Sequence, residues 1–94
     1  MDSNLKKILE LRAEIDIIDE QLIKLLHERV LLSLKLKEVK KEYKISAHVP
    51  EREKQIIKRI DDFILDKENR EIIKDIYKKI LDESRGIQLS DSDE

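Results

Sequence analysis

The feature that most constrains the fold is a seven-residue repeat of apolar side chains along the first half of the chain. One position of the repeat holds Ile8, Ile15, Leu22, Arg29, Leu36 and Tyr43, and the other holds Leu11, Ile18, Leu25, Leu32 and Val39. Because no glycine or proline occurs between residues 4 and 44, the repeat predicts one helix about 60 Å long. A small chain cannot cover so long a helix alone, so we expect two chains to pair across a twofold axis.

The single proline marks the start of a second helix. Pro50 suits the first helical position, and Glu51 and Glu53 follow in the first turn, where acidic side chains are favourable. Apolar residues at helical spacing then run to Ile64, which is typical of a helix with one buried face.

A third helix is expected from the apolar spacing of residues 72–81, with the polar stretch 66–69 before it as a turn. The chain is thus predicted to be all-α, with a long N-terminal helix and three helices in total. We place one helical domain at residues 1–89 and a disordered acidic tail at residues 90–94.

Composition excludes several classes of function. The 94 residues carry a net charge of −2, so bulk charge favours neither nucleic acid nor an acidic membrane surface. There is no cysteine, and His27 and His48 lack the spacing of metal ligands, so no metal site is predicted. With neither a signal peptide nor an apolar stretch long enough to cross a membrane, we expect a cytoplasmic protein.

One cation interrupts this pattern, and a second lies further along the same helix. Arg29 stands at a repeat position, where the loss of hydration is unfavourable unless the charge is paired. It could set the register by pairing with a glutamate of a facing helix, or it could bind an anion. Lys40 lies about 20° around the helix from Arg29 and about 16 Å along it, which leaves room for a small dianion between them. Taken alone, Lys40 is more simply explained as a solvated member of a lysine-rich run.

Other polar residues also stay open to two interpretations. Arg12 lies about 42 Å from Lys40 along the helix, so it is either an exposed charge or a ligand-binding group of an antiparallel partner chain. Glu53 is either a first-turn dipole partner or a functional carboxylate. Ser84 and Gln88 point into the bundle if the third helix continues that far, whereas the glycine at position 86 favours an earlier end.

These residues carry a resemblance to a known family. The stretch LRAEIDIIDEQLIKLLHERVLL, at residues 11–32, resembles the first helix of the all-helical chorismate mutases. The later spacings fit as well, with Lys40, then REKQII from Arg52, then a third helix ending in ESRGIQ, so that the resemblance covers residues 5–88. It implies an intertwined helical homodimer that converts chorismate to prephenate, an intramolecular Claisen-type rearrangement in phenylalanine and tyrosine biosynthesis, without a cofactor.

The resemblance assigns four residues to the catalytic centre. Arg29 would bind one substrate carboxylate from within the chain. Lys40 would donate to the ether oxygen of the breaking C–O bond, with Gln88 as the second donor. Glu53 would accept a hydrogen bond from the ring hydroxyl.

Four further residues would bind the substrate. Arg12 of the partner chain would reach the second carboxylate, Arg52 would line the pocket, and Ser84 would touch a carboxylate. Val49 stands where many family members carry an aspartate. It serves equally well if the position contributes its backbone N–H, but hydroxyl recognition is weaker if the side chain matters.

Other functions stay open. Isochorismate pyruvate-lyases resemble this fold and its cations but tend to replace the glutamate, so Glu53 favours the mutase, while Val49 leans towards the lyase. A non-catalytic helical dimerisation module would also fit the repeat, and it predicts that Arg29→Leu is neutral or stabilising. A nucleic-acid binder is disfavoured, because the lysine run is short and aromatic interleaving is absent.

Overall fold

The protein is described here by a computed structural model that covers residues 3–45 and 50–89. Three helices form in these ranges: α1 (Ser3–Glu42), α2 (Pro50–Phe63) and α3 (Lys67–Leu89). The described residues contain no strand, so the prediction of an all-α chain with a long N-terminal helix is confirmed. The tail at residues 90–94 lies outside the described ranges. The chain divides into two compact units, Met1–Leu32 and Ser33–Glu94.

The first unit consists of most of α1, and its apolar repeat faces water. No residue of α1 is buried. In this unit the apolar residues of the repeat range from 46% exposed at Ile8 to 62% exposed at Leu32. Large apolar side chains are rarely left in contiguous exposed patches on a protein that is complete as a monomer. This unit therefore presents a long apolar surface with nothing from its own residues to cover it.

In the second unit, a left-handed residue ends α1. Lys44 has a φ of 57°. The Ile45 N–H donates to the Lys40 carbonyl at 2.8 Å, and the Lys44 N–H donates to the Lys41 carbonyl at 3.3 Å. This pair of bonds is the Schellman motif, in which glycine normally occupies the left-handed position. The helix therefore stops two residues before Lys44, and the last predicted repeat position, Tyr43, falls in the turn.

The polar stretch before α3 is a helix start, so the predicted turn at residues 66–69 was wrong. The Asn69 N–H donates to the Asp66 carboxylate at 2.8 Å. The Arg70 N–H donates to the Asp66 carbonyl at 2.9 Å, so Asp66 caps a helix that begins at Lys67. The capping side chain supplies the acceptor that the first turn needs, which propensity alone does not reveal.

At its other end α3 continues through the glycine at position 86 to Leu89. A glycine inside a helix costs about 1 kcal/mol relative to alanine, and the helix tolerates it here. Of the two alternatives left open by the sequence, the structure therefore has the one that keeps Gln88 helical.

Helices α2 and α3 pack on each other in the second unit. Ile60 of α2 and Leu81 of α3 are the buried apolar residues of the described ranges, at 7% and 6% exposure. Beside them the Asp61 carboxylate binds the Lys74 ammonium at 2.6 Å and the Arg70 guanidinium at 3.6 Å. The hydrogen bond to Asp61 raises the pKa of Lys74. No helix in the described residues combines the length and the apolarity needed to cross a bilayer.

Candidate active site

The end of α3 is bound to α1 through Gln88. Its amide Nε2 donates to the Ser33 carbonyl at 2.8 Å. Its Oε1 is buried and has no hydrogen-bond partner. Because a primary amide carries two N–H groups and an acceptor oxygen, the bond to Ser33 fixes the side chain while leaving further hydrogen-bonding capacity. Gln88 is thus held in place by one of its two N–H groups.

Lys40 lies on the same face of α1 as the backbone that Gln88 contacts. Ser33, Lys37 and Lys40 are all half-buried, whereas the residues between them are exposed. Their spacing of four and three residues puts them on one side of the helix. Lys40 is about 10 Å along the helix axis from Ser33. Over that distance the Lys40 and Gln88 side chains are long enough to reach one small ligand. The structure therefore brings two predicted site residues, Lys40 and Gln88, to one side of α1.

Glu53, the third predicted catalytic residue of this unit, is bound by a residue that sequence reasoning missed. The Arg85 guanidinium donates from Nη2 to Glu53 Oε1 at 2.8 Å and from Nε to Oε2 at 3.2 Å. Its Nη1 donates to the Asp82 carboxylate at 2.9 Å. The hydrogen bonds to Glu53 and then to Asp82 raise the pKa of Arg85 still further, so it is a permanent cation. A three-residue charged cluster therefore joins α2 to α3.

No sequence pattern connects Arg85 with Glu53, which lies 32 residues earlier. The one available signal was the three-residue spacing of Asp82 and Arg85, which is typical of neighbours on a helix surface. That spacing predicts a local ion pair and gives no indication of a third partner on another helix.

The remaining predicted residues have different environments. Ser84 is half-buried one helical turn before Gln88, on the same face of α3, and Arg52 is exposed on α2. In the first unit Arg29 is half-buried and Arg12 is exposed. Val49 lies outside the described residues.

A separate groove of about 470 Å³ runs between α2 and α3. Ile57 and Leu81 line it with apolar side chains, and Glu53 and Arg85 line it with charged ones. Of the predicted site residues that the structure describes, only Glu53 borders this groove. Glu53 is therefore the residue of the predicted set, among those described, that reaches the groove. Within residues 3–45 and 50–89, no cluster of carboxylates and histidines could hold a metal ion.

Comparison with known proteins gives two matches. The sequence model of the family described as chorismate mutase type II matches residues 11–89. A curated protein of Aquifex aeolicus (strain VF5), the bifunctional chorismate mutase/prephenate dehydratase, is 43% identical over 56 residues, which are 60% of this chain and 16% of that protein. The match thus spans about a sixth of the length of this relative. No solved structure matches the chain.

Proposed function

We propose that this chain, which belongs to the chorismate mutase type II family, rearranges chorismate to prephenate. The observation that carries the proposal is the extent of the family match, which begins at Leu11, next to Arg12, and ends at Leu89, next to Gln88. It therefore includes every residue that the resemblance assigns to the reaction. The relative from Aquifex aeolicus supports the same activity, because its name includes chorismate mutase.

The residues suit this chemistry, because the rearrangement is unimolecular and needs no nucleophile or metal. A flexible dianion must be held in a compact conformation, which is a task of orientation. In the proposed mechanism Arg29 and Arg12 of the partner chain each fix one carboxylate, and the planar guanidinium fork matches carboxylate geometry.

Negative charge grows on the ether oxygen as the C–O bond stretches. We assign its stabilisation to the Lys40 ammonium and to a Gln88 N–H, since donors placed where charge develops lower the barrier most. The 2.8 Å bond from Gln88 to the Ser33 carbonyl supports this assignment, because it orients the amide before the substrate arrives. Glu53 accepts from the ring hydroxyl in the same proposal.

The proposal includes an intertwined homodimer, and the exposed surface of α1 supports it. Besides the repeat, α1 carries exposed apolar residues on its other sides, namely Leu9, Ile17, Ile23, Val30 and Leu31. A helix that is apolar all round is normally buried on all sides. A simple two-helix contact would cover one seam only, so we infer that a partner chain wraps around α1.

The activity is tested by mixing purified protein with chorismate and following the appearance of prephenate, with Arg29→Ala as the inactive control. Turnover that disappears in the variant supports the proposed reaction and site. A well-folded dimer without turnover would refute the proposal, and isochorismate would then be assayed for pyruvate release. If neither substrate reacts, the chain is a helical dimerisation module.

The shared site is tested by mixing two inactive variants, Arg12→Ala and Arg29→Ala, after brief unfolding and refolding together. In a mixed dimer one site combines the intact Arg29 of one chain with the intact Arg12 of the other, and the second site lacks both. Random pairing makes half of the dimers mixed, so about a quarter of the wild-type activity should return. No recovery would mean that Arg12 serves its own chain.

A further inference from the structure

We infer that Arg85 is a positioning residue, whose guanidinium holds the Glu53 carboxylate in the orientation that accepts the ring hydroxyl of the substrate. The inference rests on the proposed function, because it gives Arg85 a role only where Glu53 contacts the substrate. Arg85 itself does not take part in the reaction.

The geometry of the contact is that of a fork. Both Glu53 oxygens are bound, Oε1 by Nη2 at 2.8 Å and Oε2 by Nε at 3.2 Å. A single contact would leave the carboxylate free to rotate about its last torsion angle, which is broad and only weakly restricted. Two parallel bonds from a planar group fix both the position and the plane of the carboxylate.

The fork alone does not use all of the acceptor capacity of the Glu53 carboxylate. A carboxylate offers about four lone-pair directions on its two oxygens, and the fork uses one on each oxygen. The Glu53 side chain is 25% exposed, so part of the carboxylate is accessible from outside the helix pair. A neutral hydroxyl needs one acceptor at the right angle, which this arrangement can supply.

A second anchor holds Arg85 itself. Its Nη1 donates to Asp82 at 2.9 Å, one helical turn earlier on α3. The guanidinium is therefore fixed at both of its outer edges, by Asp82 on its own helix and by Glu53 on α2. Asp82 is 57% exposed and binds Arg85 directly, so replacing it disturbs Arg85 while leaving the Glu53 side chain itself unchanged.

Other contacts besides this pair also hold α2 against α3. These helices share the buried contact residues Ile60 and Leu81, and a second ion pair joins Asp61 to Lys74 at 2.6 Å. Partly exposed ion pairs contribute little to stability, since the median is about 0–1 kcal/mol for such pairs in general. The Lys74 pair supplies a matched control, because it also bridges the two helices but does not involve a predicted site residue.

The experiment compares kcat/KM for chorismate in Arg85→Gln and Lys74→Gln, in the wild type and in a Glu53→Gln background. We expect Arg85→Gln to lower kcat/KM about 10- to 100-fold, as misplacement of a binding group by about 1 Å does, and Lys74→Gln to change it less than about twofold. In the Glu53→Gln background, Arg85→Gln should change kcat/KM by less than about twofold, because its effect passes through Glu53.

Two further variants separate orientation from charge and from folding. Arg85→Lys keeps the positive charge but cannot form the two-bond fork, so its kcat/KM should be close to that of Arg85→Gln. Asp82→Asn should lower kcat/KM by less than Arg85→Gln does, and this effect should also disappear in the Glu53→Gln background. A wild-type kcat/KM in Arg85→Lys would overturn the inference. Equal losses of kcat/KM from Arg85→Gln in the wild type and in the Glu53→Gln background would also overturn it, because they indicate a purely structural role. If the wild type has no turnover, the proposed function fails and the role of Arg85 fails with it.

Discussion

Replacing Leu25 by aspartate should dissociate the proposed dimer, and the structure sets the size of the effect. Leu25 lies at the centre of the apolar repeat and is 61% exposed in the single chain. Burying a whole leucine side chain is worth about 1.5–3 kcal/mol, so covering the exposed part is worth about 0.9–1.8 kcal/mol per chain. A twofold dimer contains two copies, which gives about 1.8–3.6 kcal/mol and a Kd about 20- to 400-fold higher in the variant. Desolvation of the new carboxylate increases this effect.

Gln21→Asp is the matched control for this experiment. It introduces the same residue one turn earlier, from a starting residue with a helix propensity similar to that of leucine. Gln21 is also exposed, but it is polar and lies outside the two apolar positions of the repeat. Sedimentation equilibrium over a range of concentrations measures both dissociation constants, and circular dichroism checks the helix content. If Leu25→Asp dimerises as tightly as Gln21→Asp, the apolar repeat is not the dimer interface and the reasoning is wrong.

Three other predictions follow from local contacts. Lys40→Ala should lower kcat about 100-fold, the usual loss for one donor at a developing oxyanion, with little change in the thermal melting curve. Lys44→Gly should stabilise the chain by about 1 kcal/mol, because glycine adopts the left-handed φ of this residue without strain. Lys41→Gly inside α1 should destabilise the chain by about as much, and the melting temperatures of the two variants should shift in opposite directions. Asp66→Ala should cost about 1 kcal/mol in chemical denaturation, and Asp66→Asn should recover most of it because asparagine also caps.

Helix content could be predicted from the sequence because periodicity reports which faces are apolar, but the ends of helices depend on single hydrogen bonds. The start of α2 was readable, since proline at a first helical position has a fixed φ that suits the helix. The end of α1 was not, because the residue in the left-handed position is Lys44 and lysine carries no signal for that conformation. Asp66 did carry a capping signal, and the polar residues after it obscured the helix that it starts.

Some residues of the candidate site could likewise be predicted from the sequence, and others could not. Gln88 could be singled out because a glutamine on an apolar stripe needs an explanation, and the explanation is partly a backbone acceptor, the Ser33 carbonyl. Arg85 could not be singled out, because an arginine beside an aspartate on a helix surface is ordinary in sequence. Its link to Glu53 depends on how α2 and α3 are packed, which no single helix encodes.

In the C-terminal part of α1 polar residues are half-buried and apolar ones are exposed, which is the reverse of what is usual in a monomeric protein. This arrangement bears on both the proposed site and the proposed dimer. Ser33, Lys37 and Lys40 are half-buried, whereas Leu32 and Leu36 are 62% and 49% exposed. A contiguous row of exposed leucines is unfavourable unless another chain covers it. A scaffold that only dimerises would gain stability from leucine on both faces. In the proposed function this lysine face contacts the anionic substrate, and the partner chain covers the apolar face.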